Sequence, residues 1–126
     1  MRCAVFIGSD KNAGKTTAMN FMRRVWHKQQ KKIVTTSIGI NGEELDALSG
    51  HEKPHIDIFE GEFFITGAEH LRRANGVIKI KATFNPPLFS KEYVLAEALT
   101  SQQRVIEGPN NKDELLKIKS EIQKKI

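Results

Sequence analysis

A short apolar run, residues 2–7 (RCAVFI), stops at Gly8, and seven residues later Lys15 and Thr16 open a stretch of helical periodicity. Between them lies GSDKNAGKTT, Gly8–Thr17, the segment that most narrows the folds open to this 126-residue chain. The apolar run suits a strand buried on both faces, as in a parallel sheet. Ala18, Phe21, Met22, Val25 and Trp26 then recur on one helical face. KIVTTSIGI (32–40) is rich in β-branched residues and reads as a second strand. Strand, glycine-containing turn, helix and strand make a βαβ unit, for which a right-handed crossover is expected.

Residue types in this segment match the needs of a phosphate cradle. Small residues let backbone N–H groups approach anionic oxygens, and a helix N-terminus adds its positive end. A lysine at the helix start supplies a cation for β- and γ-phosphates, and the following hydroxyl ligates Mg²⁺. Gly8, Ser9, Asp10, Lys11, Asn12, Ala13, Gly14, Lys15, Thr16 and Thr17 are therefore the candidate nucleotide-binding residues, with Lys15 the candidate catalytic cation. The strict pattern G-x-x-x-x-G-K-[ST] wants glycine at position 9, where this chain has Ser9. Such a site also needs an acidic group for the metal. Glu107, ending the apolar RVIEG (104–108), and Asp46 in NGEELD (41–46, with Glu43 and Glu44) are the candidates beside Thr16. The plain alternatives are a polar-capped strand-to-helix turn at Gly8–Thr17 and a strand end before a helix cap at Glu107.

The loop resembles the G-T-D-T-x-V-G-K-T loop of dethiobiotin synthetases and related P-loop proteins. Gly8, Asp10, Gly14, Lys15 and Thr16 match it, and Ser9 replaces a threonine. Lys11 does not align with the signature lysine of partition-type ATPases, which falls at Asp10. RVIEGPNN resembles the V-E-G-A-G-G segment of the synthetases, with Pro109, Asn110 and Asn111 in place of Ala-Gly-Gly. Over most of its length the chain is similar to small P-loop proteins of fermentative lysine degradation. Its matching segments are GSDKNAGKTT, SIGINGEELD, FITGAEHLRRA and LAEALTSQQRVIEGPNN.

These resemblances imply an α/β, P-loop NTPase-like domain over residues 1–126, with a mostly parallel sheet and flanking helices. They imply truncation at the C-terminus, because the relatives continue into a further strand carrying an aspartate. The implied function is Mg²⁺-dependent binding of ATP or another nucleoside triphosphate by an accessory or switch protein, with ATPase activity left open. The implied partner is an enzyme such as an adenosylcobalamin-dependent aminomutase, and a homodimer is a further expectation. A small ATP-dependent ligase or kinase of the dethiobiotin synthetase type, and a non-binding structural relic, are the alternatives. Adenine and guanine are not distinguished, since no N-K-x-D-type base motif occurs.

Elsewhere, residues 54–66 read as two short strands about a turn at Gly61, and 67–74 as a short helix closed by Asn75-Gly76. GVIKIKATF (76–84) alternates as a strand with one face in water. Pro86-Pro87 breaks regular structure. YVLAEAL (93–99) reads as a strand or a helical turn, and RVIEG as a strand. Asn111 and Glu114 form a capping pair before a last helix whose Leu115, Ile118, Ile122 and Ile126 share one face.

No apolar run approaches the ~20 residues of a membrane span, and the single Cys3 suits a reducing compartment. A cytoplasmic protein is expected. The net charge of +5 is spread along the chain without an aromatic-interleaved basic stripe, so nucleic acid is not the expected partner. HEKPH (51–55) fits the H-E-x-x-H expression of zinc proteases, but Gly50 and Pro54 oppose the helix that chemistry needs, and His70 has no pattern to support it as a third ligand. Ser9 and Ser37 have no identifiable base.

Overall fold

A computed structural model describes residues 15–37, 40–41, 56–73 and 76–125. Helix α1 (Lys15–Lys28) is followed by β1 (Val34–Thr35) and β2 (Ile40–Asn41). Then come β3 (Ile56–Ile58), β4 (Phe63–Gly67), a 3-10 helix over Ala68–Arg73 and β5 (Ile78–Phe84). The order closes with β6 (Tyr93–Ala98), β7 (Gln102–Arg104), β8 (Ile106–Glu107) and α2 (Lys112–Lys125).

The main sheet has the order β1-β4-β6-β5. β1 and β4 are parallel, and β6 is antiparallel to both of its neighbours. β2 with β8 and β3 with β7 form separate two-stranded antiparallel sheets. The expected P-loop NTPase-like architecture, a mostly parallel sheet with flanking helices, is thus corrected. Among the described residues the protein is a small α/β fold with two α-helices and a mixed four-stranded sheet.

The reason lies in the connections. Residues 85–92 join β5 to β6, too few for the crossover of a dozen or more residues that parallel neighbours require. Pro86-Pro87 in that connection cannot continue a ladder, and the chain turns back. β6 is a strand rather than a helical turn, and five of its six residues are buried. Its nearly unbroken apolar run reflects burial on both faces and carries no information on strand direction. The expected strand over 32–40 is likewise two elements, β1 and β2, in different sheets. RVIEG is divided between β7 and β8.

Alternation along β4 and β6 sorts the core onto two faces. Phe64, Val94, Ala96 and Ala98 meet Ile56, Ile58 and Ile106 on one side. Ile65, Tyr93 and Leu95 meet Phe84, Phe89, Ile118 and Ile122 on the other. α2 therefore covers the second face with the Ile118 and Ile122 stripe expected of it, and Leu115 is half-buried. Burying each isoleucine contributes about 1.5–3 kcal/mol. Asn111 Oδ1 accepts the Glu114 N–H at 2.9 Å, which confirms the cap. The Glu114 carboxylate turns instead to Ser90, accepting from its N–H at 2.8 Å and its hydroxyl at 2.9 Å. That pair ties the start of α2 to the β5–β6 connection.

α1 departs from its expected face. Ala18 is exposed, Phe21 is 59 % exposed, and Met22, Val25 and Trp26 are half-buried. Met19 packs on the first core cluster, while the buried side chains among the described ones of the helix are Asn20 and Arg23. Arg23 Nη2 donates to Glu62 Oε1 at 2.7 Å, with the two side chains 2 % and 3 % exposed. Asn20 Oδ1 accepts from Arg23 Nη1 at 3.2 Å and from the Asp57 N–H at 3.3 Å. A charge this buried persists because it is paired and hydrogen-bonded. His27 lies against Phe59, ring centroids 5.3 Å apart. The C-terminal half of α1 thus sits beside residues 59–62, just before β4.

Candidate functional site

β1 and β4 run in the same direction, so residues 36–37 and 67–70 leave the sheet at one edge. The C-terminal edge of parallel strands is where α/β folds present ligand-binding groups. β8 is fastened there. The Glu107 N–H donates to Thr66 Oγ1 at 2.9 Å, and Thr36 Oγ1 donates to the Ile65 carbonyl at 3.1 Å. Ser37 Oγ donates to the Ile106 carbonyl at 3.2 Å and accepts the Gly108 N–H at 3.3 Å. A Cβ at Gly108 would stand 1.8 Å from the Ser37 carbonyl oxygen, so this close approach requires glycine.

Three side chains converge on the Glu107 carboxylate. Lys91 Nζ lies 2.5 Å from Oε2, and His70 Nε2 lies 2.9 Å from Oε1. Glu69 Oε1 stands 3.8 Å from the same His70 nitrogen. His70 and Glu107 are largely buried, 10 % and 13 % exposed, whereas Glu69 is 73 % exposed and Lys91 half-buried. Gly67 forms part of the floor, where a Cβ would meet Glu107 Oε1 at 3.3 Å and Lys91 Cε and Nζ at 3.5 Å. Burial pushes the Glu107 carboxyl up, but the Lys91 and His70 contacts together outweigh it and hold the group below its ordinary value. The carboxylate is therefore ionised at neutral pH. His70 Nδ1 is buried and has no hydrogen-bond partner among the described residues. The arrangement offers an ionised carboxylate, an imidazole and a second, exposed carboxylate, and Glu69, His70 and Glu107 bring their ligand atoms within 4.8 Å of one another.

Of the residues expected from the sequence to form a site, Gly8, Ser9, Asp10, Lys11, Asn12, Ala13 and Gly14 lie outside the described residues, as do Asp46, Glu43, Glu44, His51 and His55. Lys15 and Thr16 are the first two residues of α1, and Thr17 is exposed on its first turn. Of Thr16, Asp46 and Glu107, only Glu107 belongs to the residues whose side chains are described, and it sits in the cluster. His70 and Lys91 were not legible as partners of Glu107, being 37 and 16 residues away in the chain. The β4–β6 register brings them together. Gly67 opposes Tyr93, so His70 just beyond the one and Lys91 just before the other arrive at the same sheet edge.

Among the described residues no helix is long and apolar enough to cross a membrane. Comparison with protein-family models, with curated proteins and with solved structures found no match to the chain.

Proposed function

We propose that the chain binds a magnesium-complexed nucleoside triphosphate, ATP first, through Gly8–Thr17. In this reading it serves as an accessory or switch protein whose nucleotide state governs contact with a partner enzyme of aminomutase type. The observation that carries the reading is that α1 begins at Lys15 with no acidic residue in its first turn. A helix N-terminus carries roughly +0.5 of an elementary charge, falling off within a turn, and an acid there would cancel it. Here the glycine-containing segment GSDKNAG leads into that end, and Lys15 adds a full charge. Thr16 is the hydroxyl that would ligate Mg²⁺, and Glu107 or Asp46 the acid that would complete the metal's surroundings. The nucleotide reading rests on the loop and the helix start.

The test is calorimetric titration of the full chain with ATP and GTP, with and without Mg²⁺. Magnesium-dependent binding is expected, and Lys15→Ala should weaken it at least about tenfold while the circular dichroism spectrum is unchanged. Equal affinity of Lys15→Ala and parent would sink the loop assignment. A phosphate-release assay on the bound state then separates an ATPase from a switch.

A further inference from the structure

We propose that Glu69, His70 and Glu107 form a binding site for a divalent transition-metal ion of the Zn²⁺ class, and that Lys91 occupies one side of it when the metal is absent. The donors are right in kind. An imidazole with two carboxylates suits Zn²⁺ and its neighbours, whereas Mg²⁺ and Ca²⁺ favour oxygen alone. Their spacing is right as well. A cation about 2.1 Å from each donor places adjacent donors roughly 3.0 Å apart in octahedral and 3.4 Å apart in tetrahedral geometry. The observed separations from His70 Nε2 are 2.9 Å to Glu107 and 3.8 Å to Glu69, on either side of those values. Two of the donors are held by packing, and the third, Glu69, is an exposed chain free to swing in.

A further observation points to a cation. The Lys91 ammonium already sits 2.5 Å from Glu107 Oε2, so this carboxylate attracts positive charge from a side chain that is itself half-buried and able to leave. The cluster thus brings two carboxylates but one ammonium. His70 is nine-tenths buried, and nothing among the described residues bonds its Nδ1. In the metal-free protein Nε2–H donates to the ionised Glu107 carboxylate, so ligation through Nε2 moves the ring proton to Nδ1. The proposal shares Glu107 with the nucleotide reading but stands without it, because all three donors lie outside Gly8–Thr17.

The experiment is a Zn²⁺ titration of the chelator-stripped full chain against a chromophoric competitor. It is done in a background carrying Cys3→Ser, His51→Ala and His55→Ala, which removes the single thiol and the two histidines of HEKPH. One Zn²⁺ per chain is expected. His70→Ala and Glu107→Gln should each weaken binding at least tenfold, Glu69→Gln should weaken it several-fold, and Lys91→Met should tighten it several-fold. Lys15→Ala should leave Zn²⁺ binding unchanged, so a failed nucleotide site and a failed metal site are told apart. An affinity indifferent to His70→Ala overturns the proposal. If that variant does not fold, the unmodified chain decides by its imidazole NMR signals. Substoichiometric Mn²⁺ should broaden the His70 ring resonances ahead of those of His27, and equal or absent broadening at His70 overturns the site.

Discussion

Lys91 Nζ and His70 Nε2 grip opposite oxygens of one carboxylate, that of Glu107, at 2.5 and 2.9 Å. With both oxygens engaged, and its own N–H bonded to Thr66, Glu107 has little freedom to turn. A carboxylate held this way at the C-terminal edge of the parallel pair β1 and β4 is oriented before any ligand arrives. Orientation of this kind reduces the entropy lost when a cation or a polar ligand binds.

The grip has a consequence in acid. The folded-state pKa of Glu107 lies below its ordinary value, so folding favours the ionised form. The stability this provides is fully present above the ordinary carboxylate value of about 4.3 and is lost as pH falls through the depressed folded value. Lys91→Met removes the ammonium and leaves burial, the largest single influence, to push the carboxyl up. Urea unfolding followed from pH 7 to 3 should show Lys91→Met less stable than the parent at pH 7, with the two curves converging at the acid end where Glu107 is protonated in both. Parallel curves would mean that Lys91 does not act on Glu107.

The Arg23–Glu62 pair makes a second prediction. Each partner is almost wholly buried, and burial lowers the Arg23 pKa more than Glu62 restores it. Removing one charge leaves the other stranded, which costs roughly 3–5 kcal/mol in comparable pairs. Arg23→Met alone should destabilise by that order in urea unfolding. In the double variant with Glu62→Leu most of the loss should return, because two apolar chains replace two desolvated charges. Recovery should still be incomplete, since Glu62 Oε1 also accepts the Phe59 N–H at 2.6 Å, and that donor would lose its partner. Losses that simply add across the two sites would show that the pair is not coupled.

The same pair shows what pattern reading could and could not reach. α1, the Gly61 turn, β5, the Asn111 cap and the Ile118 and Ile122 stripe follow from local rules, and each was legible. The face of α1 was not, because its anchors are polar. Asn20 and Arg23 are covered only because Glu62 and Asp57 arrive from the β3–β4 region to satisfy them. Strand direction was hidden for a different reason: a run such as YVLAEA shows that both faces are buried and not which way the neighbour runs. In the candidate site Glu107 was legible from its strand-end position. His70 and Lys91 join it through sheet register, which a single sequence does not display.

Two glycines separate strain from collision, and so give the last prediction. Gly61 has φ near +88° in the β3–β4 turn, and a Cβ there would touch nothing within 4 Å. Gly61→Ala should therefore cost about 1–2 kcal/mol, the usual penalty for placing an L-residue in the left-handed region, and Gly61→Asn should cost less. Gly108 has no such conformational demand, but its Cβ would fall 1.8 Å from the Ser37 carbonyl oxygen. Backbone must move to admit it, and overpacking of this kind costs 1–3 kcal/mol or more. Because Gly108 follows Glu107 and shares Ser37 with Ile106, the displacement should pass into the cluster. Gly108→Ala is expected to shift the His70 ring resonances, which report on the Glu107 contact, while Gly61→Ala leaves them in place. If Gly61→Ala moved those resonances and Gly108→Ala did not, the packing of β8 against the end of β1 would have to be redrawn.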